Sequence, residues 1–147
     1  MVPGYDDPHL PPPDSYLKTL LTAREGGSRI VAVCTGVFAL AATGMLRGKS
    51  ATTHRRHADQ LRAMHPDVDV VENRLIVEDG PILTSAGASA GIDTCLHVVR
   101  TDFGATAADG VAKDVVLSST RSGAEPSRST RTCPRRLAPA CPPLDSG

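Results

Sequence analysis

Large aromatic side chains are almost missing from this sequence, which has no Trp, two Tyr and two Phe in 147 residues. Val, Ile, Leu and Ala must therefore fill the core. Net charge is missing as well: 16 Lys and Arg balance 16 Asp and Glu. Composition thus gives no reason for a global attraction to nucleic acid or to a membrane surface. No apolar run is long enough to span a bilayer. The best stretch, residues 30–46, is broken by Cys34, Thr35, Gly36, Thr43 and Gly44. The opening Met1-Val2-Pro3-Gly4 has neither the basic nor the apolar part of a secretory signal. The expectation is a soluble cytoplasmic protein with no membrane partner. The cysteines do not form a disulfide framework, because Cys34 and Cys95 sit inside apolar patterns and Cys133 and Cys141 in a Pro-rich end. There is no Gly-x-Gly-x-x-Gly or Walker phosphate loop and no internal repeat. No cofactor is expected.

The clearest positive signal is residues 29–36, RIVAVCTG, followed by VFALAATG. A β-branched run ends at a cysteine, small residues follow, and a helical pattern begins. In an α/β protein this is strand, tight turn and helix. Cys34 then stands at the carboxyl end of a buried strand and beside a helix N-terminus, a setting that favours thiolate over thiol. It is the cysteine counterpart of the nucleophile elbow.

The length admits one domain. Val2-Pro3-Gly4 reads as a strand end. Asp14 is the expected N-cap of a helix to about Arg24, with Tyr16, Leu17, Leu20 and Leu21 on its buried side. Gly26-Gly27 ends it. After the elbow, a helix is expected over about 37–46, a short strand at 51–53, and a polar helix from His54 to Met64 that Pro66 stops. Asp79-Gly80 between apolar runs predicts a hairpin. Residues 85–89 form a second strand-to-helix turn. The next helix, about 90–100, should bury Ile92, Cys95, Leu96 and Val99. A last helix is expected over 103–113, capped by Asp102. From Ser118 onward Ser, Thr, Arg and Pro dominate without periodicity, which predicts a disordered tail over 118–147 after a domain over 1–117.

These residues together resemble the DJ-1/PfpI family, the class I glutamine amidotransferase-like fold. Within it the chain is most similar to sensor domains of AraC-type transcriptional regulators. The resemblance rests on Val2-Pro3-Gly4, Val33-Cys34-Thr35-Gly36, the block AATGMLRGKSATTH ending at His54, and the Asp79–Arg100 region. It implies a flavodoxin-like, mostly parallel sheet flanked by helices. A family domain begins with further strands before Val2, one of which carries an acidic residue beside the cysteine in the enzymes. The regulators continue into helix-turn-helix motifs, which Pro134, Pro139, Pro142 and Pro143 exclude here. The expectation is therefore a truncated or frame-altered product lacking its N-terminal strands. As such it would be a ligand-sensing, homodimerising domain that binds a small molecule and does not bind DNA by itself. The alternatives are a cysteine-dependent enzyme, isocyanide hydratase-like or glyoxalase-type, and a non-functional fragment.

Cys34 is the foremost site candidate, as nucleophile, oxidation sensor or ligand contact, with the backbone N–H groups of Thr35, Gly36 and Gly4 as its oxyanion pocket. Thr35 stands where the protease-like branch carries histidine, which argues against a peptidase. His54 is the candidate base or ligand-orienting group, against the alternative of a capping or surface histidine. A metal site at His54 and His57 lacks further ligands at suitable spacing, so no metal is expected. Arg55 and Arg56 read as a solvated face. Asp93 reads as a first-turn acid on its helix dipole, His97 and Arg100 as its last-turn counterparts, and Cys95 as core. Gly87 and Gly91 permit close backbone approach.

Overall fold

The computed structural model describes residues 1–115 and 121–125. Within them the chain runs α1 (Asp14–Glu25), β1 (Ile30–Val33), α2 (Gly36–Ala42), β2 (Ser50–Ala51) and a 3₁₀ turn (Arg55–His57). It continues through α3 (Ala58–Met64), β3 (Asp69–Val70), β4 (Ile76–Asp79), β5 (Ile82–Ser85), α4 (Ala90–Phe103) and α5 (Ala105–Asp114). This is a mixed α/β fold with a small, mostly parallel sheet. β1 pairs in parallel with β5, and β4 pairs antiparallel to β5 on its other side. Val2 adds a single parallel bridge to Ala32 on the free edge of β1. β2 and β3 form a separate parallel pair.

Alternation along the strands divides the core. Ile30, Ala32 and Ile82 point to the face covered by Leu20 of α1, by α2 and by Leu61 of α3. Val31 and Leu83 point to the opposite face, against Ala86, Ala90 and Val98. Phe38, Leu40, Leu46, Leu61 and Leu83 are almost wholly buried. Each side chain of this size contributes about 1.5–3 kcal/mol on burial, so aliphatic residues carry the core as the composition requires. All four residues of β5 are buried, as expected for a strand paired on both sides.

The hairpin forms where Asp79-Gly80 predicts it. Asp79 lies opposite Ile82, which leaves Gly80 and Pro81 as the turn, and Gly80 has φ +61°. Lys49 Nζ and the Ser50 N–H both donate to the Asp79 carboxylate, at 2.9 and 3.0 Å. These bonds hold it below the ordinary carboxylate range and tie β2 to β4.

Other expectations shift. Pro13, not Asp14, precedes the first turn of α1, and Leu21 is exposed while Leu20 is buried. α2 stops at Ala42, because the Thr43 hydroxyl bonds back to the Leu40 carbonyl and Gly44 turns to φ +80°. The helix expected from His54 is split into the 3₁₀ turn and α3. α4 runs on to Phe103, and Gly104 at φ +87° separates it from α5. Asp102 therefore lies inside α4 rather than at a cap, and pairs with Arg29 at 2.8 Å.

α4 also turns a different face inward. Asp93, Thr94 and Leu96 are buried, while Ile92 and Cys95 are exposed. The chain segment 121–125 explains this. The Gly123 carbonyl accepts from the N–H groups of Leu75 and Ile76, both at 3.2 Å, and Arg121 binds Asp93. The remainder of the expected tail, with Cys133 and Cys141, lies outside the described residues.

Candidate functional site

Two strand-to-helix turns meet at the carboxyl ends of β1 and β5. At the first, Cys34 has φ +56°, a left-handed conformation that a side-chain-bearing residue seldom adopts. Its N–H donates to the Ser85 carbonyl at 2.9 Å, and its own carbonyl accepts from the Thr53 hydroxyl at 2.8 Å. The end of β5 and the loop after β2 thus hold the elbow from two sides. At the second turn Gly87 has φ +77° and lies directly against Cys34. A Cβ at Gly87 would fall 2.4 Å from the Cys34 Cβ and 3.0 Å from Sγ.

Gly36 is required for a similar reason, since a Cβ there would sit 2.6 Å from the carbonyl oxygens of both Val2 and Pro3. Thr35 is buried, and its hydroxyl clasps the opposite loop. It accepts from the Tyr5 N–H and donates to the Tyr5 carbonyl, both at 2.7 Å. The N–H groups of Thr35 and Gly36 precede or open α2 and have no intrahelical acceptor. They can therefore receive developing negative charge beside Cys34.

Gly4, Tyr5, Asp6, Cys34, Thr35 and His57 enclose an open cleft of about 320 Å³. The candidate residues Gly4, Cys34 and Thr35 meet here. His54 borders a separate cavity of about 80 Å³ on the Gly87 side, with Arg121. Its Nδ1 accepts from the Arg56 N–H at 3.3 Å, so it caps the 3₁₀ turn. Burial, reinforced by the Arg56, His57 and Arg55 charges, pushes its pKa below the ordinary 6.5. A histidine of this kind binds fewer protons folded than unfolded. Its contribution to stability is full above about pH 6.5 and is lost as pH falls through the folded value. Burial shifts His65 the same way, against the opposing charge of Asp67. Melting temperature should therefore drop below about pH 6.5, and His54→Gln should flatten part of that slope. An unchanged slope in the variant would exclude His54 as a source.

The histidine on the Cys34 cleft is His57, which sequence reasoning considered solely as a metal partner. Its Nδ1 lies 3.0 Å from Gln60 Oε1. With the Gln60 amide oxygen facing it, Nδ1 is the donor of this pair. Its ring meets Phe38 edge-on, centroids 6.4 Å apart. The spacing of His54 and His57 held the signal: in a 3₁₀ turn residues three apart eclipse, and the two rings are 6.2 Å apart. Among the described residues, no group of three His, Cys, Asp or Glu side chains is gathered for a metal ion. No helix among them is long and apolar enough to cross a membrane.

Asp93 has a stronger partner than the helix dipole. It is 7% exposed. Arg121 gives its carboxylate three bonds, from the backbone N–H and Nε at 3.1 Å and from Nη2 at 2.7 Å, and Nη2 also reaches Ser89 Oγ at 2.7 Å. His97 pairs with Glu78 at 3.1 Å and Arg100 with Asp109 at 3.3 Å.

The model of the DJ-1/PfpI family matches residues 1–101. The HTH-type transcriptional regulator ArgR of Pseudomonas aeruginosa is 32% identical over 102 residues, which are 69% of this chain and 31% of the regulator. The isonitrile hydratase of Pseudomonas putida is 39% identical over 71 residues, 48% of this chain and 30% of the enzyme. The crystal structure of an AraC family transcriptional regulator from Pseudomonas putida superposes with a TM-score of 0.61 at 21% identity. The match covers 71% of this chain and 57% of that one. At that identity the likeness shows the fold. The chain spans between 28% and 39% of the first curated relatives it matches.

Proposed function

The chain belongs to the DJ-1/PfpI family, and from that premise we propose that it is the ligand-sensing and dimerising domain of an AraC-family transcriptional regulator. The observation that carries this reading is the Cys34 cleft itself. It opens at the carboxyl end of β1, where open α/β sheets bind ligands, and it lies within residues 1–101, which match the family model. The partners are a small molecule and a second copy of the chain, in the cytoplasm. Cys34 is the ligand contact, with the N–H groups of Gly4, Thr35 and Gly36 around it. His57 borders the same cleft, and His54, on the Gly87 side, is the second candidate to orient the ligand. This polypeptide alone binds no operator, and a salt-sensitive, sequence-specific DNA affinity would contradict that.

A second reading, a cysteine-dependent enzyme, is favoured by the left-handed Cys34 beside two amides that have no intrahelical acceptor and by the similarity to isonitrile hydratase. One experiment separates the two. A panel of small metabolites is screened by thermal shift, and each hit is tested for slowing iodoacetamide labelling of Cys34, read by mass spectrometry. The sensor reading expects a hit that protects Cys34 and is recovered unchanged. Consumption of the hit, abolished in Cys34→Ser, would replace the sensor with the enzyme. Failure of the protein to unfold cooperatively would support a non-functional fragment instead.

A further inference from the structure

His54 holds the 3₁₀ turn at Arg55–His57 by two bonds. Its carbonyl accepts from the His57 N–H at 2.8 Å, and its ring Nδ1 accepts from the Arg56 N–H at 3.3 Å. The second bond needs a neutral ring, because a protonated imidazole has donors on both nitrogens and no acceptor. The surroundings offer a charged ring nothing in exchange. Arg55, Arg56 and His57 follow it in the chain. Across the cavity on the Gly87 side stands Arg121, whose charge Asp93 matches. Apart from Arg55, the other residues lining that cavity are uncharged. Among the described residues, no carboxylate pairs with His54, Arg55 or Arg56. His57, the last residue of the turn, lines the Cys34 cleft. Three contacts fix it: its N–H on the His54 carbonyl, its Nδ1 on Gln60 Oε1, and its ring edge-on to buried Phe38. The first of these is part of the turn that His54 caps.

We propose that His54 is a protonation-sensitive cap: acid charges its ring, the bond to the Arg56 N–H breaks, and the 3₁₀ turn that places His57 on the Cys34 cleft loosens. His54 is in this respect a positioning residue, acting on the cleft through His57. Burial and the positive neighbours depress its pKa in the fold. It is therefore neutral and capping above about pH 6.5, and the cap is lost as pH falls through the folded value. The turn is suited to open by itself. None of its three residues is buried, so loosening it exposes no core. The cleft then keeps its shape at neutral pH and loses its histidine wall in acid, which makes occupancy of the cleft acid-sensitive. The inference rests on the reading of the Cys34 cleft as a ligand site and adds a pH control to it.

The test compares the full chain with two variants. His54→Asn supplies a side chain that caps without titrating. His54→Lys is charged throughout and accepts no hydrogen bond. Amide exchange and NMR spectra are recorded at about pH 7.5 and about pH 5. Protection of the Arg56 N–H, corrected for the intrinsic pH dependence of exchange, should fall about fivefold on acidification of the unaltered protein, the size of a typical N-cap contribution. The NOE between the His57 and Phe38 rings should weaken with it. In His54→Asn both should stay within about 1.5-fold of their neutral values. In His54→Lys both should be low at either pH. Amides of β5 serve as the internal reference and should not change. Arg56 protection that survives acid in the unaltered protein would overturn the inference. So would equal losses in His54→Asn, which would place the cause at His57 itself, and so would a parallel loss at β5, which would mean global unfolding. If His54→Lys does not fold, the other two proteins still decide. Neither readout involves Cys34 or a ligand. A metabolite panel that fails at the cleft therefore leaves the cap standing, and a pH-independent turn removes it whatever binds at Cys34.

Discussion

Gly87→Ala should cost about 4 kcal/mol or more of folding stability, among the largest effects a single methyl group can have. Two penalties add. Gly87 has φ +77°, and a left-handed residue that gains a Cβ loses roughly 1–2 kcal/mol. The steric clash costs more. The new carbon would lie 2.4 Å from the Cys34 Cβ, 3.0 Å from Sγ and 3.1 Å from Cα. Cys34 cannot yield easily, because its N–H and carbonyl are bonded to Ser85 and Thr53. Gly27→Ala separates backbone strain from clash. Gly27 has φ +84° with nothing within 4 Å of its Cβ position, so that variant suffers the backbone strain alone, about 1–2 kcal/mol. Urea unfolding of both variants, compared at their midpoints, checks this. Equal losses would mean that the two turns do not abut as described. If Gly87→Ala fails to accumulate as folded protein, the same comparison can be made by the rate of Cys34 labelling in native buffer, which should rise sharply when the elbow is forced apart.

Arg121→Ala should cost about 2 kcal/mol. Removing one partner of a buried ion pair costs about 3–5 kcal/mol because the other charge is stranded. The Arg121 side chain is 38% exposed, so solvent screens part of that. Asp93 keeps the backbone N–H of residue 121 in the variant, which offsets a little more. The diagnostic is a double-mutant cycle. Asp93→Ala together with Arg121→Ala should be more stable than the sum of the single losses predicts, since no buried carboxylate is then left alone. Additive losses would mean that the segment at 121–125 does not hold Asp93. The same bonds decide which face of α4 is inside. Without Arg121, Asp93 would favour water, and the expected stripe of Ile92, Cys95, Leu96 and Val99 would be the better one to bury.

That helix shows how far local reading reaches. Its existence was legible from the Ser85–Ser89 turn and the apolar spacing after it. Its inward face was not, because Asp93 becomes buriable through a residue 28 positions away, and Thr94 through a hydroxyl bond to the Ala90 carbonyl at 2.7 Å. Asp102 misled in the same way. It has the composition of a cap, but Gly104 interrupts the helix two residues later and Arg29, distant in sequence, takes the carboxylate. At the site, the expectation of one continuous helix from His54 did not anticipate that His57 lines the Cys34 cleft while His54 borders the cavity on the Gly87 side. The 3₁₀ turn at Arg55–His57 rotates the side chains relative to an α-helix and brings His57 to the cleft.

What the residues determine by themselves is steric and short-ranged. The β-branched run ending at Cys34 makes β1. Asp79-Gly80 makes the hairpin turn. Pro66 ends α3. Each follows from φ/ψ limits or side-chain shape within a few positions. The tertiary structure decides which polar groups are buried and which histidine borders the cleft. Those outcomes depend on the cost of leaving a charge or a hydrogen-bonding group without a partner. The partner is supplied by packing between segments far apart in the chain, so no local pattern announces it.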